Sequence, residues 1–239
     1  MGAGSNERIN QQLFLKQVPV GIAGPKDFET KESTVQECAE GQVLVESHYF
    51  GLDAALRLIV RDSDEFLFRV RPGDLVRGTA AGRVIESKLS GYEVGDYVLA
   101  SGGVQNYIVC GPDELELCDV SQAPLEAWLG GFGVSGLTAY FALIEECKPQ
   151  PGQTILVNGA AGAVGSIAGQ IAKLAGANVI GLTGSKEKCD WLVNELGYDI
   201  AINYKDSDWY RQLELAAQAP DLHNLPEAYR RMYEALGVR

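Results

Sequence analysis

The stretch from Thr154 to Lys188, "TILVNGAAGAVGSIAGQIAKLAGANVIGLTGSKEK", constrains the fold more than any other part of the chain. An apolar run, "TILVNG", enters a glycine-rich turn, "AVGSIAGQIAKLAG" follows with helical spacing, and a second apolar run, "NVIGLTG", comes next. "KEKCDWLVNELG" then reads as another helix and "IAINY" as a third strand. Strand, helix, strand, helix, strand in that order demands parallel strands joined by right-handed crossovers, since a helix is what carries the chain back to the start of the sheet. The fold class is therefore α/β.

Within this unit Ala160-x-Gly162-x-x-Gly165 is a relative of the GxGxxG turn with alanine first. It follows a strand and opens a helix, which is the context the motif needs. At Gly162 the missing side chain lets the backbone approach a diphosphate, whose charge meets free amides at the helix N-terminus. Gly165, with Gly169, lets the helix lie close to the strand. A site for NAD usually places a carboxylate at the end of the second strand, on the ribose hydroxyls. Here that strand ends Gly181-Leu182-Thr183-Gly184-Ser185-Lys186, without one. Lys186 and Lys188 fall in the first turn of the next helix, where the helix dipole disfavours positive charge. An anion between them reverses that penalty, and the 2′-phosphate of NADP is such an anion. The expected cofactor is NADP(H), with NADPH preferred over NADH.

Upstream, the texture is that of short strands. "GQVLVESHYFGL", "GDLVRGTAAGRVIES", "VGDYVLASGG", "VQNYIVC" and "ELELC" are β-rich and separated by glycine or charged turns, which predicts a barrel-like or sandwich-like domain. "DAALRLIV" reads as a short helix capped by Asp53. From about Ala123 the pattern changes, and "LTAYFALIEEC" has helical periodicity with Leu137, Tyr140, Phe141 and Ile144 on one face. After the third parallel strand, "DSDWYRQLELAAQAPDLHNLPEAYRRMYEALGVR" is helical and polar.

The net charge of -12 sets a surface that repels phosphate backbones, so nucleic acid is excluded as a partner. The N-terminus "MGAGSNERINQQ" lacks the apolar core of a signal peptide, and no apolar run of spanning length (about 18 residues) occurs. The five cysteines, Cys38, Cys110, Cys118, Cys147 and Cys189, are scattered, with no CxxC pair. They read as reduced thiols of a cytoplasmic protein, neither a disulfide framework nor a zinc site.

The segment from "GLTAYFALIEECKPQPGQTILVNGAAGAVG" to "IAINYK" resembles the zinc-independent medium-chain dehydrogenases/reductases, in the branch of leukotriene B4 dehydrogenase, prostaglandin reductase and alkenal double-bond reductase. "FLKQVPVGIAGPKDFE", "VLVESHYFGLD" and "GRVIESKLSGYEVGDYV" resemble that branch's catalytic domain. The resemblance implies a GroES-like catalytic β-domain over 1–122, a partial Rossmann NADP-binding domain over 123–217 and a helical tail over 218–239. It implies reduction of the carbon–carbon double bond of a small hydrophobic enone or enal by NADPH. By matched motif, Ala161, Gly162, Ala163 and Val164 line the diphosphate turn, and Gly184, Ser185, Lys188 and Tyr204 surround the adenosine 2′-phosphate. Thr138 lies near the nicotinamide end, and Tyr49 faces the substrate as the candidate catalytic residue. His48 and His223 read as ordinary residues. Where the superfamily's zinc enzymes carry Gly-His-Glu this chain has Arg77-Gly78-Thr79, so no metal is expected.

Two departures stand out. The branch's Asp-Pro-Tyr-Met is replaced by Asp53-Ala54-Ala55-Leu56, which removes a second tyrosine. The Rossmann-type sheet has three recognisable strands against six in a full doubly wound domain, so the chain looks like a member with an internal deletion near "AAQAPDLHNLPEA" and a clipped end. The resemblance implies a homodimer, although the family's dimer often uses strands that this chain lacks. Two other readings follow: a catalytically inactive nucleotide-binding or interaction protein, and an NADPH-dependent quinone reductase.

Overall fold

The computed structural model describes residues 8–52, 54–61 and 69–217. The expected cap Asp53, His223 and the tail 218–239 lie outside the described residues. The chain divides between Gly133 and Val134 into two compact units.

The first unit is built on β-strands. A hairpin of β1 (Ile9–Leu15) and β2 (Phe28–Thr34) pairs antiparallel. The main strands are β3 (Val43–Phe50), β4 (Thr79–Ser87), β5 (Tyr97–Ser101), β6 (Tyr107–Cys110) and β7 (Leu115–Leu117), with helix α1 (Ala54–Ile59) after β3. They form an antiparallel sheet in the order β6-β3-β4-β5-β7, the curled GroES-like architecture that the resemblance implies. Alternate residues turn Val43, Val45, Val84, Val98 and Ile108 into one core, all 1% exposed or less. The quoted β-rich runs all contain strands, but the β1–β2 hairpin was not expected. Its long polar side chains hide it: Asn10 is buried and pairs with Gln105 Oε1 and with the backbone of Tyr107, both as donor and acceptor.

Strand β3 is irregular at one place. Ser47 faces Gly82 across the ladder and Tyr49 faces Ala81, so His48 is an extra residue. Such a bulge breaks the two-residue alternation and re-aims the side chains beyond it. His48 and Tyr49 are consequently both exposed. A side chain at Gly82 would stand 2.2 Å from the carbonyl of Glu46, so glycine is required where the strands close up beside the bulge.

The second unit opens with α2 (Val134–Tyr140), which continues into a π-helical stretch, Phe141–Cys147. The parallel unit follows: β8 (Thr154–Asn158), α3 (Ala163–Leu174), β9 (Asn178–Thr183), α4 (Lys186–Asn194), β10 (Ile200–Asn203) and α5 (Trp209–Ala216). The three strands pair parallel in the order β10-β9-β8, as the alternation predicts. The apolar face expected on α2 is not the buried one. Leu137, Tyr140 and Phe141 are 54%, 45% and 56% exposed, whereas Gly136, Ala139 and Leu143 are buried. Small residues win because α2 presses on α3, where Ala168 and Ala172 are also small.

Tyr198, 2% exposed, locks this unit together. Its ring occupies the space beside two glycines. A Cβ on Gly169 would stand 2.1 Å from its Cζ, and one on Gly181 2.9 Å from its Cδ1. Its hydroxyl donates to the carbonyl of Gly165 at 2.6 Å. Next to it, Asp199 accepts from Lys173 Nζ at 2.8 Å and from the amide of Val179 at 2.6 Å, tying α3, β9 and the start of β10.

Candidate functional site

The glycine turn leaves β8 through Gly159, whose φ of +61° is a left-handed conformation that glycine adopts without strain. Ala160 N–H donates to the carbonyl of Leu182 on β9, and Gly162 N–H to that of Gly159, which fixes the turn on both sides. Gly162 then caps α3 with extended backbone, and Ser166 is the first residue of the helix to bond back, to the Gly162 carbonyl. The amides of Ala163, Val164 and Gly165 therefore head the helix with no carbonyl one turn earlier to receive them. Gly162, Ala163 and Val164 are exposed there and Ala161 is half-buried. Exposed amides and the positive end of a helix dipole make a seat for an anion. Gly165 has a different job. A Cβ on it would stand 2.5 Å from the Gly159 carbonyl, so it permits the turn to fold against the helix.

The second group of expected residues gathers where β9 and β10 end. Tyr204 N–H donates to the carbonyl of Thr183 and so extends the ladder past both strands. This brings the Tyr204 hydroxyl over Gly184, 2.6 Å from where a Cβ would be. Ser185 caps α4, its Oγ accepting from the amide of Lys188 at 3.3 Å. Lys186 and Lys188 sit in the first turn, exposed. The Lys186 ammonium bonds both carboxylate oxygens of Asp190, at 2.7 and 2.9 Å, and that bond raises its pKa above the ordinary lysine value. The sequence reading missed Lys205, whose Cε lies 3.5 Å from the same Gly184 Cβ position. The signal that could have found it is its place in "INYK", one residue beyond Tyr204.

The two groups thus lie at the C-terminal ends of adjacent parallel strands, where open α/β sheets take their ligands. Thr138 stands apart on α2, exposed, with its hydroxyl donating to the carbonyl of Val134 at 2.6 Å. In the first unit Tyr49 is 46% exposed just past the bulge, and His48 meets Tyr97 edge to face at 6.3 Å. Among the described residues no group of three or more His, Cys, Asp or Glu side chains could hold a metal ion, and no helix is long and apolar enough to cross a membrane.

Residues 11–118 match the family described as N-terminal domain of oxidoreductase, and residues 163–223 match the one described as zinc-binding dehydrogenase. Prostaglandin reductase 1 from Bos taurus is 41% identical over 194 residues, which is 80% of this chain and 56% of the relative. NADPH-dependent curcumin reductase from Escherichia coli is 36% identical over 215 residues, 89% of this chain and 62% of the relative. The crystal structure of CurA from Vibrio vulnificus in complex with NADPH superposes with a TM-score of 0.80 at 34% identity, covering 86% of this chain and 61% of that one. The chain spans about three fifths of the length of the relatives it matches. It belongs to the zinc-independent medium-chain dehydrogenases/reductases, in the branch of the prostaglandin, curcumin and alkenal reductases.

Proposed function

We propose that this protein binds NADP(H) and reduces the carbon–carbon double bond of small hydrophobic α,β-unsaturated ketones or aldehydes. The observation that carries the reading is the exit of β9, a serine-capped and lysine-flanked turn where an NAD site would have a carboxylate. The residues fit the cofactor's adenosine half. The bare amides of Ala163 and Val164, approached past Gly162 and Ala161, hold the diphosphate. Gly184, Ser185, Lys188 and Tyr204 hold the phosphorylated ribose, and Lys186, paired with Asp190, stands at its edge. Thr138 is assigned to the nicotinamide end.

When bound, NADPH supplies a hydride to the β-carbon of the acceptor. The carbonyl oxygen then carries developing negative charge, which needs a hydrogen-bond donor more than a metal. Tyr49 is assigned that role because it lies just past the bulge at His48 and is exposed. A proton from water or from this hydroxyl completes the saturated product. The division into a catalytic domain (1–122), a cofactor domain (123–217) and a C-terminal tail (218–239), a homodimer and a cytoplasmic location belong to the same proposal.

The test is to mix the purified protein with NADPH and a 2-alkenal or an enone and follow the cofactor's absorbance. A fall that depends on both, and is slower with NADH, supports the reading. Tight NADPH binding with no oxidation by enal, enone or quinone would place the chain among nucleotide-binding proteins without turnover, and oxidation by quinone alone among the quinone reductases.

A further inference from the structure

The Lys186 ammonium is turned along α4 onto Asp190, leaving the β9 exit short of one of the two cations assigned to it. Another lysine reaches the same turn from the next strand. Lys205 follows β10, and its backbone is fixed by its own N–H donating to Asn203 Oδ1 at 3.2 Å. Its stem packs beside Gly184, with Cε 3.5 Å from the position a Cβ would take. A side chain at Gly184 would also stand 2.6 Å from the Tyr204 hydroxyl, so glycine at 184 is what lets Tyr204 close over the turn. Packing the stem reduces the rotamer freedom that an exposed lysine loses when its head meets a ligand.

Charges of both signs stand around this point. The Asp190 carboxylate is occupied by Lys186, and Asp206 accepts from Asn203 Nδ2 at 2.7 Å. Glu187 sits in the first turn of α4, exposed. Among the described residues, the Lys188 and Lys205 side chains have no ion pair and no hydrogen bond, only backbone bonds through their own amides. An unpaired ammonium gains a charge-assisted hydrogen bond when a doubly charged phosphate comes within its reach.

We propose that Lys205 is a specificity-determining residue that meets the 2′-phosphate of NADP(H) together with Lys188. The inference rests on the reading of the β9 exit as an NADP(H) site. It is tested by titrating the wild-type protein, Lys205→Ala and Lys205→Arg with NADPH and with NADH, followed by calorimetry, with the thermal midpoint of each variant measured alongside. Loss of one charge-assisted bond to phosphate raises the NADPH Kd of Lys205→Ala about tenfold, while the NADH Kd stays within about twofold. Lys205→Arg retains most of the NADPH affinity. A merely structural lysine would move both dinucleotides together, and that result, or an unchanged NADPH Kd in Lys205→Ala, overturns the inference while leaving the cofactor reading in place. A wild-type protein that binds NADPH and NADH equally, or neither, overturns the cofactor reading and this inference with it.

Discussion

Gly169 shows how much one missing carbon decides. It lies in the middle of α3, where glycine is about 1 kcal/mol worse than alanine on propensity alone. Propensity loses here because a Cβ would stand 2.1 Å from Cζ and 2.2 Å from the hydroxyl of a tyrosine that is itself fully packed. Gly169→Ala should therefore destabilise the protein by about 2 kcal/mol, the usual cost of overpacking, despite the better helix former. Urea unfolding measures it, and a midpoint equal to or above that of the wild type would contradict the packing described. The sequence pattern assigned Gly169 to close packing of helix on strand. The structure adds what the space is for, a side chain 29 positions further on, which no spacing rule within the motif reveals.

At the scale of elements, Asp199 joins α3 and β9 to the lead-in of β10. Burial alone would raise its pKa, but the bonds from Lys173 and Val179 outweigh burial and hold it below the ordinary carboxylate value. A lowered folded pKa means stability that is present above the unfolded value, about 4, and is lost as pH falls through the folded one. Asp199→Asn should unfold at lower urea than the wild type at pH 7, and the gap should narrow as pH falls below about 4. A gap independent of pH would show that the carboxylate's charge contributes nothing. The order of these elements was legible from the sequence. The β-α-β-α-β texture gave three parallel strands, and "TILVNG" and "NVIGLTG" fixed the first two within a residue or so. Two elements resisted. The β1–β2 hairpin was illegible because Asn10 and Gln12 both donate to Gln105 Oε1, and buried or half-buried amides do not look like a core. The buried side of α2 was misread because it packs through Gly136 and Ala139, whereas hydrophobic periodicity weighs only large side chains. The candidate site was legible as far as it is written in one contiguous stretch. Ser185 as a cap, the Lys186–Asp190 pair and Lys205 depend on how the strand exits meet, which the linear pattern does not contain.

Over the whole molecule, the cysteines report on both units at once. Cys38, Cys110 and Cys118 are buried in the first unit, and burial pushes the Cys110 thiol up to about 12 and that of Cys118 up to about 11. In the second unit Cys147 is exposed, while Cys189 is half-buried with its pKa also raised by burial. A thiol reagent at neutral pH should modify Cys147 first and Cys189 more slowly, and reach the other three only after denaturation, because the thiolate is the reactive form. Peptide mapping of the modified protein reads the order, and rapid modification of Cys110 in the native state would be incompatible with the sheet described. The accommodation of Tyr198 by Gly169 and Gly181 also reaches beyond this one polypeptide. It ties three alignment columns into a single evolutionary unit: a homologue bearing alanine or larger in the first or second column should have surrendered its aromatic in the third, and one that keeps the aromatic should have kept both glycines.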